Sequence, residues 1–224
     1  MTQITRYRDK QGKFTFDPAK RSQLVSEQLY KAFDFFNQYF VDGVLPKVII
    51  TIQESGRKNA LGWYGQGFWK DQICGQGVCE INISAEHMNR SAEGILETLL
   101  HEMAHLYNSN QKVRDVSSGQ YHNKHFVKAA TLFGLSVSKL GSKGWAKTTL
   151  DEPAIKAIDK LNPDKDILTS LKRKKMISRR ERRYMSLIVS ADLEESICEM
   201  VTKTGLSQRQ FVEECINQYI SNYE

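Results

Sequence analysis

The first regular pattern of apolar residues along the chain is helical. Asp17 followed by Pro18 is typical of a helix start, with Asp17 as the N-cap and Pro18 at the first helical position. The segment DGVLP then marks the end of this helix. Between these limits apolar residues recur close to the helical period, at Leu24, Leu29, Phe33, Phe36 and Phe40.

Three strands are predicted after this helix. The segment KVIITIQ is rich in β-branched residues, and NALGWYGQGFWK and VCEINIS are further strand candidates around the glycine-rich CGQG. Cys74 and Cys79 lie at this turn. Since no second cysteine or histidine pair nearby would complete a metal site, we expect them to be ordinary thiols of a hairpin.

Helical patterns return in the middle of the chain. Ser91 is suited to cap a helix over AEGILETLLHEMAHLYN. A polar loop separates it from YHNKHFVKAATLFGL, which is predicted to be a helix that ends near Gly134. GWAKTTL is a candidate for a last short strand, and residues 151–162 for a further helix. Helices mixed with short strands predict an α+β fold.

The last part of the chain, residues 184–224, is predicted to form a strand and two helices. Apolar residues alternate in YMSLIVS, as on one face of a strand. Gly205 is expected to end the first helix and Ser207 to cap the second. The apolar positions are Leu193, Ile197 and Val201 in the first helix, and Phe211, Val212, Cys215, Ile216, Tyr219 and Ile220 in the second. About forty residues cannot bury these stripes alone, so a partner surface is expected.

Charge is distributed unevenly along the chain. Of the 224 residues 40% are hydrophobic, enough for a sizeable core, and the formal net charge is +6. Residues 172–183 contain eight basic residues and one acid, whereas residues 184–224 contain seven acids and two bases. This asymmetry predicts a basic linker between two folded parts. We therefore expect three regions, at residues 1–150, 151–183 and 184–224.

Three features bear on where the protein is found. No apolar run approaches the length of a membrane span, and the N-terminus lacks the apolar core of a signal peptide. The four cysteines are too few and too scattered for a disulfide framework. The expected location is the cytoplasm, with no membrane partner.

The stretch LLHEMAHLYN contains two histidines four residues apart, with a glutamate beside the first. On a helix, His101 and His105 lie on one face, one turn apart, so both rings can bind one metal ion. Glu102 projects beside them, where it can act on a water molecule without being a ligand. The alternative is two chance histidines on a surface helix. The capped, apolar setting of the motif favours the metal site.

A catalytic zinc requires a third protein ligand and an open position for water. A downstream glutamate is not expected to be that ligand, because no Glu occurs between His105 and Glu152. The candidates within this interval are Asp115, His122 and His125. The residues alone leave the choice among these three open.

Several blocks of this region resemble the SprT-like zinc metalloproteases. The blocks are LGWYGQGFWK, EINIS, ETLLHEMAHLYN and YHNKHFVKAATLFGL, which occur in the family's order within residues 21–150. The resemblance implies helices packed on a small mixed sheet, a bound Zn²⁺ with His101 and His105 as ligands, and Glu102 as the catalytic base. In the family an H-x-x-x-F block supplies the third ligand, which here implies His122. The C-terminal zinc ribbon of many members, built from paired CxxC motifs, has no counterpart in this sequence.

The tail is similar to the ribbon-helix-helix DNA-binding family, in which two strands pair across a dimer and enter the major groove. The resemblance includes the GLS turn and implies a homodimer that contacts DNA. The implied contacts are Tyr184, Ser186 and Ile188 on the strand, Ser207 at the second helix, and Arg179, Arg180, Arg182 and Arg183 in the basic arm. Ile188 departs from the usual polar side chain, and the acidity of the tail is unfavourable against phosphate. A helical hairpin packed on the protease domain is the alternative.

Two functions are compatible with these patterns. The first is a zinc-dependent metalloprotease that hydrolyses protein substrates, including DNA-associated ones, since some relatives cleave proteins crosslinked to DNA. The second is a DNA-binding regulator with a structural or relict zinc site. A structural zinc needs four protein ligands and no base beside it. The intact motif with three good ligands therefore favours the enzyme.

Overall fold

The structure, a computed structural model, describes residues 6–8, 14–55, 60–173 and 189–222. The chain divides into two units, Met1–Lys175 and Met176–Glu224. Within the described ranges, no helix combines the length and the apolar character that crossing a membrane requires.

A short hairpin and a long helix open the first unit. Strands β1 (Arg6–Arg8) and β2 (Phe14–Phe16) pair antiparallel. Helix α1 (Pro18–Val41) confirms the predicted start, since the Asp17 carboxylate accepts hydrogen bonds from two backbone N–H groups of the first turn. One face of α1 is fully buried in the core, through Val25, Leu29, Ala32, Phe33 and Phe36.

Three strands form the central sheet of this unit, in the order β3–β5–β4. Strand β3 (Ile49–Gln53) runs parallel to β5 (Gly77–Ser84), and β4 (Gly62–Lys70) runs antiparallel to β5. The three predicted strands are confirmed, and the sheet is mixed, as the family resemblance implied. Strand β4 lies at the edge, and its register shifts between Gly65 and Trp69, which is typical of a β-bulge.

Helix α2 (Ala92–Asn110) runs through the core of the first unit. The predicted cap is confirmed, because the Ser91 hydroxyl accepts a hydrogen bond from the backbone N–H of Gly94. Its fully buried apolar residues are Ile95, Leu96, Leu99, Leu100, Met103, Ala104 and Leu106. Such close packing fixes the rotation of the helix about its axis and therefore the direction in which its histidines point.

The third predicted helix begins later than the pattern indicated. Helix α3 spans Lys124–Leu132, whereas Tyr121–His122 form strand β7, which pairs antiparallel with β6 (Val116–Ser117). The side chain of Asn123 caps α3 by accepting a hydrogen bond from the backbone N–H of His125. The prediction missed this boundary because strands of two residues have no period of their own.

A hairpin and two helices complete the first unit. Strand β8 (Leu135–Ser138), which was not predicted, pairs with the predicted last strand, β9 (Lys147–Leu150). Helix α4 (Glu152–Leu161) confirms the helix predicted over residues 151–162, and α5 (Lys165–Leu168) follows it. Both belong to the same hydrophobic core as α1 and α2, through Ala154, Ala157, Ile158, Leu161, Ile167 and Leu168.

The second unit contains the two helices predicted in the tail, α6 (Ala191–Thr204) and α7 (Gln208–Ser221). Gly205 ends α6 in the left-handed region, and Ser207 starts α7 with a capping box, as predicted. None of the residues described in this unit is buried. The strand predicted before α6 lies, up to residue 188, outside the described residues.

Candidate metal centre

Helix α2 carries two histidines and a glutamate on neighbouring positions of one turn. His101 and His105 are four residues apart, and their ring centroids are 5.1 Å apart. The buried apolar face of α2 holds the helix in place, so both imidazoles are directed toward the same side.

A third histidine comes from strand β7. The His122 ring centroid lies 5.4 Å from that of His101 and 5.0 Å from that of His105. One donor atom from each of the three histidines lies within 4.8 Å of the others. In the part of the chain that the structure describes, this is the only such group of three or more His, Cys, Asp or Glu side chains.

The other nitrogen of two of these rings is held by an acceptor. His105 Nδ1 lies 2.8 Å from Asp115 Oδ2, and His122 Nδ1 lies 3.3 Å from the backbone carbonyl oxygen of Lys143. A carboxylate and a carbonyl only accept hydrogen bonds, so Nδ1 of each ring must be the donor. In the neutral ring Nε2 then carries a lone pair.

These two lone pairs face each other, because the Nε2 atoms of His105 and His122 are 3.2 Å apart. When both rings are neutral and protonated on Nδ1, these atoms cannot hydrogen-bond to one another, and a cation between them would relieve their repulsion. Tetrahedral Zn²⁺ with histidine ligands at about 2.0–2.1 Å would place two such nitrogens about 3.3–3.4 Å apart. The separation and the all-imidazole donor set therefore fit zinc. A zinc held only by these three histidines, the ligands found among the described residues, would keep a fourth position open, as in catalytic sites.

The surroundings favour the neutral form of two of the three imidazoles, those of His101 and His122. Burial, and then the nearby His105 and His122, lower the pKa of His101 well below its ordinary value of 6.5. Burial and the nearby His105 lower the pKa of His122 to about 4. Burial would raise the pKa of Asp115, but the hydrogen bond and charge of His105 outweigh it and lower the pKa. At neutral pH a metal ion therefore meets little competition from protons at His101 and His122.

Phe126 forms the wall behind the three histidines. Its ring centroid lies 4.6 Å from each of the rings of His101, His105 and His122, and the side chain is fully buried. Contact with all three rings restricts their rotation. This packing gives a physical reason for a phenylalanine four residues after the third histidine.

Glu102 lies beside the cluster and against the edge strand. The residue is buried, with 5% of its surface exposed. A Cβ at Gly62, the first residue of β4, would lie 3.2 Å from Glu102 Oε1 and 2.7 Å from Thr98 Cγ2. Strand β4 therefore passes close to the carboxylate only because residue 62 has no side chain.

Some residues of the site carry no motif and were missed by sequence reasoning. The loop before β9 supports His122 through the carbonyl of Lys143 and through a hydrogen bond from Trp145 N to His122 O at 3.1 Å. A Cβ at Gly144, where φ is +66°, would lie 2.5 Å from that same oxygen. The hydroxyl of Thr148 lies 3.3 Å from His101 Nδ1. The glycine is the only local signal among these residues.

The other candidates for the third ligand take different places. His125 is exposed on the first turn of α3 and is not part of the histidine group. Asp115 lies at the site, but it contacts the ring of His105 rather than joining the group of donor atoms. The structure thus brings the ring of His122 to His101 and His105.

Most residues predicted to contact DNA are not described. Ser207 is described, and its hydroxyl accepts a hydrogen bond from the backbone N–H of Gln210 at the start of α7. Outside the described residues lie Tyr184, Ser186, Ile188, Arg179, Arg180, Arg182 and Arg183. Their role in DNA binding stays a prediction.

Comparison with known proteins identifies one family. The model of the SprT-like family matches residues 29–141, about half of the chain. The matched range includes α2, β7, α3 and all three clustered histidines. No curated protein and no solved structure gives a significant match.

The third ligand can be tested by a pair of substitutions. His122→Ala removes a ring from the cluster and is expected to lose most bound zinc, whereas His125→Ala should keep it because that ring is exposed and outside the group. Zinc content per chain, measured by elemental analysis after dialysis, compares the two. The reverse result would make His125 the third ligand and would contradict the grouping of His122 with His101 and His105.

Proposed function

The chain belongs to the SprT-like family, and on that premise we propose that it is a zinc-dependent metallopeptidase that acts on protein substrates. The observation that carries the proposal is the group of His101, His105 and His122, with Glu102 beside it on α2. A zinc that only stabilises a fold takes four protein ligands, whereas the described residues contribute three. A zinc ion held by these three histidines would keep one position for water or for a substrate carbonyl.

Glu102 is the proposed general base. Zn²⁺ held by the three histidines would polarise the scissile carbonyl and make the attacking water more acidic. Glu102 takes the proton of this water as it attacks the carbonyl carbon, and then returns it to the nitrogen of the leaving amine. Glu102 as a residue is 5% exposed, so it lies largely out of contact with bulk solvent. Its place on α2 fixes its distance from both helix histidines.

The edge of β4 supports an extended polypeptide as the substrate. In the order β3–β5–β4, one side of β4 has no partner strand among the residues described. An extended peptide can add to such an edge through backbone hydrogen bonds. Since Gly62 brings β4 close to Glu102, a peptide paired there would have its backbone beside the proposed base. Recognition through the backbone favours protein substrates of varied sequence.

Removing the base while keeping the metal tests the mechanism. Glu102→Gln keeps the size of the side chain but cannot accept a proton, so peptidase activity is expected to fall by about 10²–10⁴-fold. Zinc content should stay at the level of the unmutated chain. Activity is measured as cleavage of an unfolded, fluorescently labelled protein, and zinc by elemental analysis of the same sample.

A matched substitution separates the loss of the base from the loss of metal. His101→Ala is expected to lose zinc and activity together, whereas Glu102→Gln should lose activity alone. Full activity in zinc-loaded Glu102→Gln would show that Glu102 is not the base. Loss of zinc in that variant would instead make Glu102 a part of the metal site.

A second proposal concerns the unit formed by α6 and α7. Several of its large apolar side chains are exposed, among them Leu193, Met200, Ile216, Tyr219 and Ile220. Two amphipathic helices with such a surface need a partner to cover it. We propose that the partner is a second copy of the chain, and that the dimer binds DNA through residues 172–183. The peptidase would then act on DNA-associated proteins; the alternative is a DNA-binding regulator that uses the same dimer.

The oligomeric state tests the first part of this proposal. The full chain is expected to be a dimer, and a chain that ends at Lys175 should be a monomer that still binds zinc. Ile216→Lys should dissociate the full-length dimer, because it places a charge on the apolar face of α7. The neighbouring Asn217→Lys, at an exposed polar position, is the control. Light scattering after gel filtration measures the mass. A monomeric full-length chain would contradict the proposed dimer.

Salt dependence tests the proposed DNA contact. Replacing Arg179, Arg180, Arg182 and Arg183 by glutamine should lower the slope of log K against log salt by about 3 to 4, because each neutralised phosphate contributes about 0.9. The dimer should persist. Fluorescence anisotropy with a labelled duplex at several salt concentrations gives the slope. An unchanged slope would show that these arginines do not contact the phosphates. If the unmutated chain bound no DNA at all, the DNA proposal would be wrong and the peptidase proposal would stand by itself.

A further inference from the structure

His101 is the one clustered histidine whose Nδ1 faces neither a carboxylate nor a carbonyl. Its partner is the hydroxyl of Thr148 on β9, with 3.3 Å between Nδ1 and Oγ1. A hydroxyl can donate as well as accept. This contact alone would therefore allow His101 to carry its proton on either nitrogen. Only the tautomer with the proton on Nδ1 leaves Nε2 free to bind a metal ion.

The carboxylate of Glu97 removes this ambiguity. Thr148 Oγ1 donates a hydrogen bond to Glu97 Oε1 at 3.1 Å. A hydroxyl has a single proton, so once it is committed to Glu97 the oxygen can only accept from His101. His101 Nδ1 is then the donor, and its Nε2 carries the lone pair.

We propose that Thr148 and Glu97 are positioning residues of the metal centre, forming a relay that sets the tautomer and orientation of His101. The inference rests on the proposed zinc site. The relay does for His101 what Asp115 does directly for His105. Partners of this kind, which hold the second nitrogen of a ligand histidine, strengthen metal binding.

Glu97 is held where the relay requires it. It lies one turn before His101 on α2, so the helix fixes the spacing between them. Burial raises the pKa of Glu97 above its ordinary value, and the hydrogen bond from Thr148 and the charge of Arg90 offset part of that rise. The Arg90 guanidinium is itself fixed, because it donates hydrogen bonds to the carbonyl oxygens of His87 and Gly94 and to Thr98 Oγ1. Arg90 thereby favours the ionised, acceptor-only form of Glu97.

The zinc affinity of the full chain, measured by competition with a chromophoric chelator, tests the relay. Thr148→Val removes the hydroxyl but keeps the branched shape, and should weaken zinc binding roughly 10- to 100-fold. Glu97→Met removes the acceptor and should have an effect of the same order. Thr148→Ser keeps the hydroxyl and should stay close to the unmutated affinity. Thr149→Val makes the same change at the next, exposed residue of β9 and is the matched control.

Two further measurements separate positioning from a merely structural role. The double variant Thr148→Val, Glu97→Met should bind zinc no more weakly than Thr148→Val alone, because both changes break one relay. In the Co²⁺-substituted protein, Thr148→Val should shift the visible absorption bands, whereas Thr149→Val should leave them unchanged. If Thr148→Val does not fold, as judged by far-UV circular dichroism, then zinc affinity and the Co²⁺ absorption bands of Glu97→Met, compared with those of Thr149→Val, decide the question.

The outcomes distinguish this inference from the proposed function. Zinc affinity within about threefold of the unmutated chain in Thr148→Val, or independent effects of the two changes, would overturn the relay and leave the peptidase intact. Weakened zinc binding in a chain without peptidase activity would support the relay and overturn the peptidase. A chain that binds no zinc would overturn both.

Discussion

The close approach of two imidazole nitrogens, Nε2 of His105 and Nε2 of His122 at 3.2 Å, sets the requirement that the rest of the site meets. In neutral rings these nitrogens repel, so other contacts must hold both rings in place, and a cation between them would relieve the repulsion. Those contacts come from the carboxylate of Asp115, the carbonyl of Lys143 and the ring of Phe126. The site is therefore built as much by the segments around α2 as by the motif on it.

The parts of the molecule that were predictable are those with a local signal. Helices α1 and α2 follow from a capping residue, Asp17 or Ser91, placed before an apolar period. The proximity of His101 and His105 follows from the helical repeat alone. His122 needed the resemblance to the family, because the residues themselves left Asp115 and His125 as alternatives.

Two of the acceptors behind the histidines, Thr148 and the carbonyl of Lys143, were not predictable, because their contacts are distant in sequence and carry no period. Thr148 lies 47 residues from His101, and Lys143 lies 21 residues from His122. The acceptor from Lys143 is a backbone carbonyl, which every residue has. The start of α3 was misplaced for a related reason: the strand before Asn123 is two residues long and is stabilised by pairing with β6 rather than by its own sequence.

The order of these elements along the chain also has a consequence for biosynthesis. Glu97 and Thr148, the outermost members of the centre, are 51 residues apart, and α1, which shares the core with α2, precedes both. A ribosome completes all of these residues before it reaches α6 and α7, and domains generally fold as units in the order of synthesis. Translation thus delivers every component of the metal centre while the helices proposed for self-association have yet to be made.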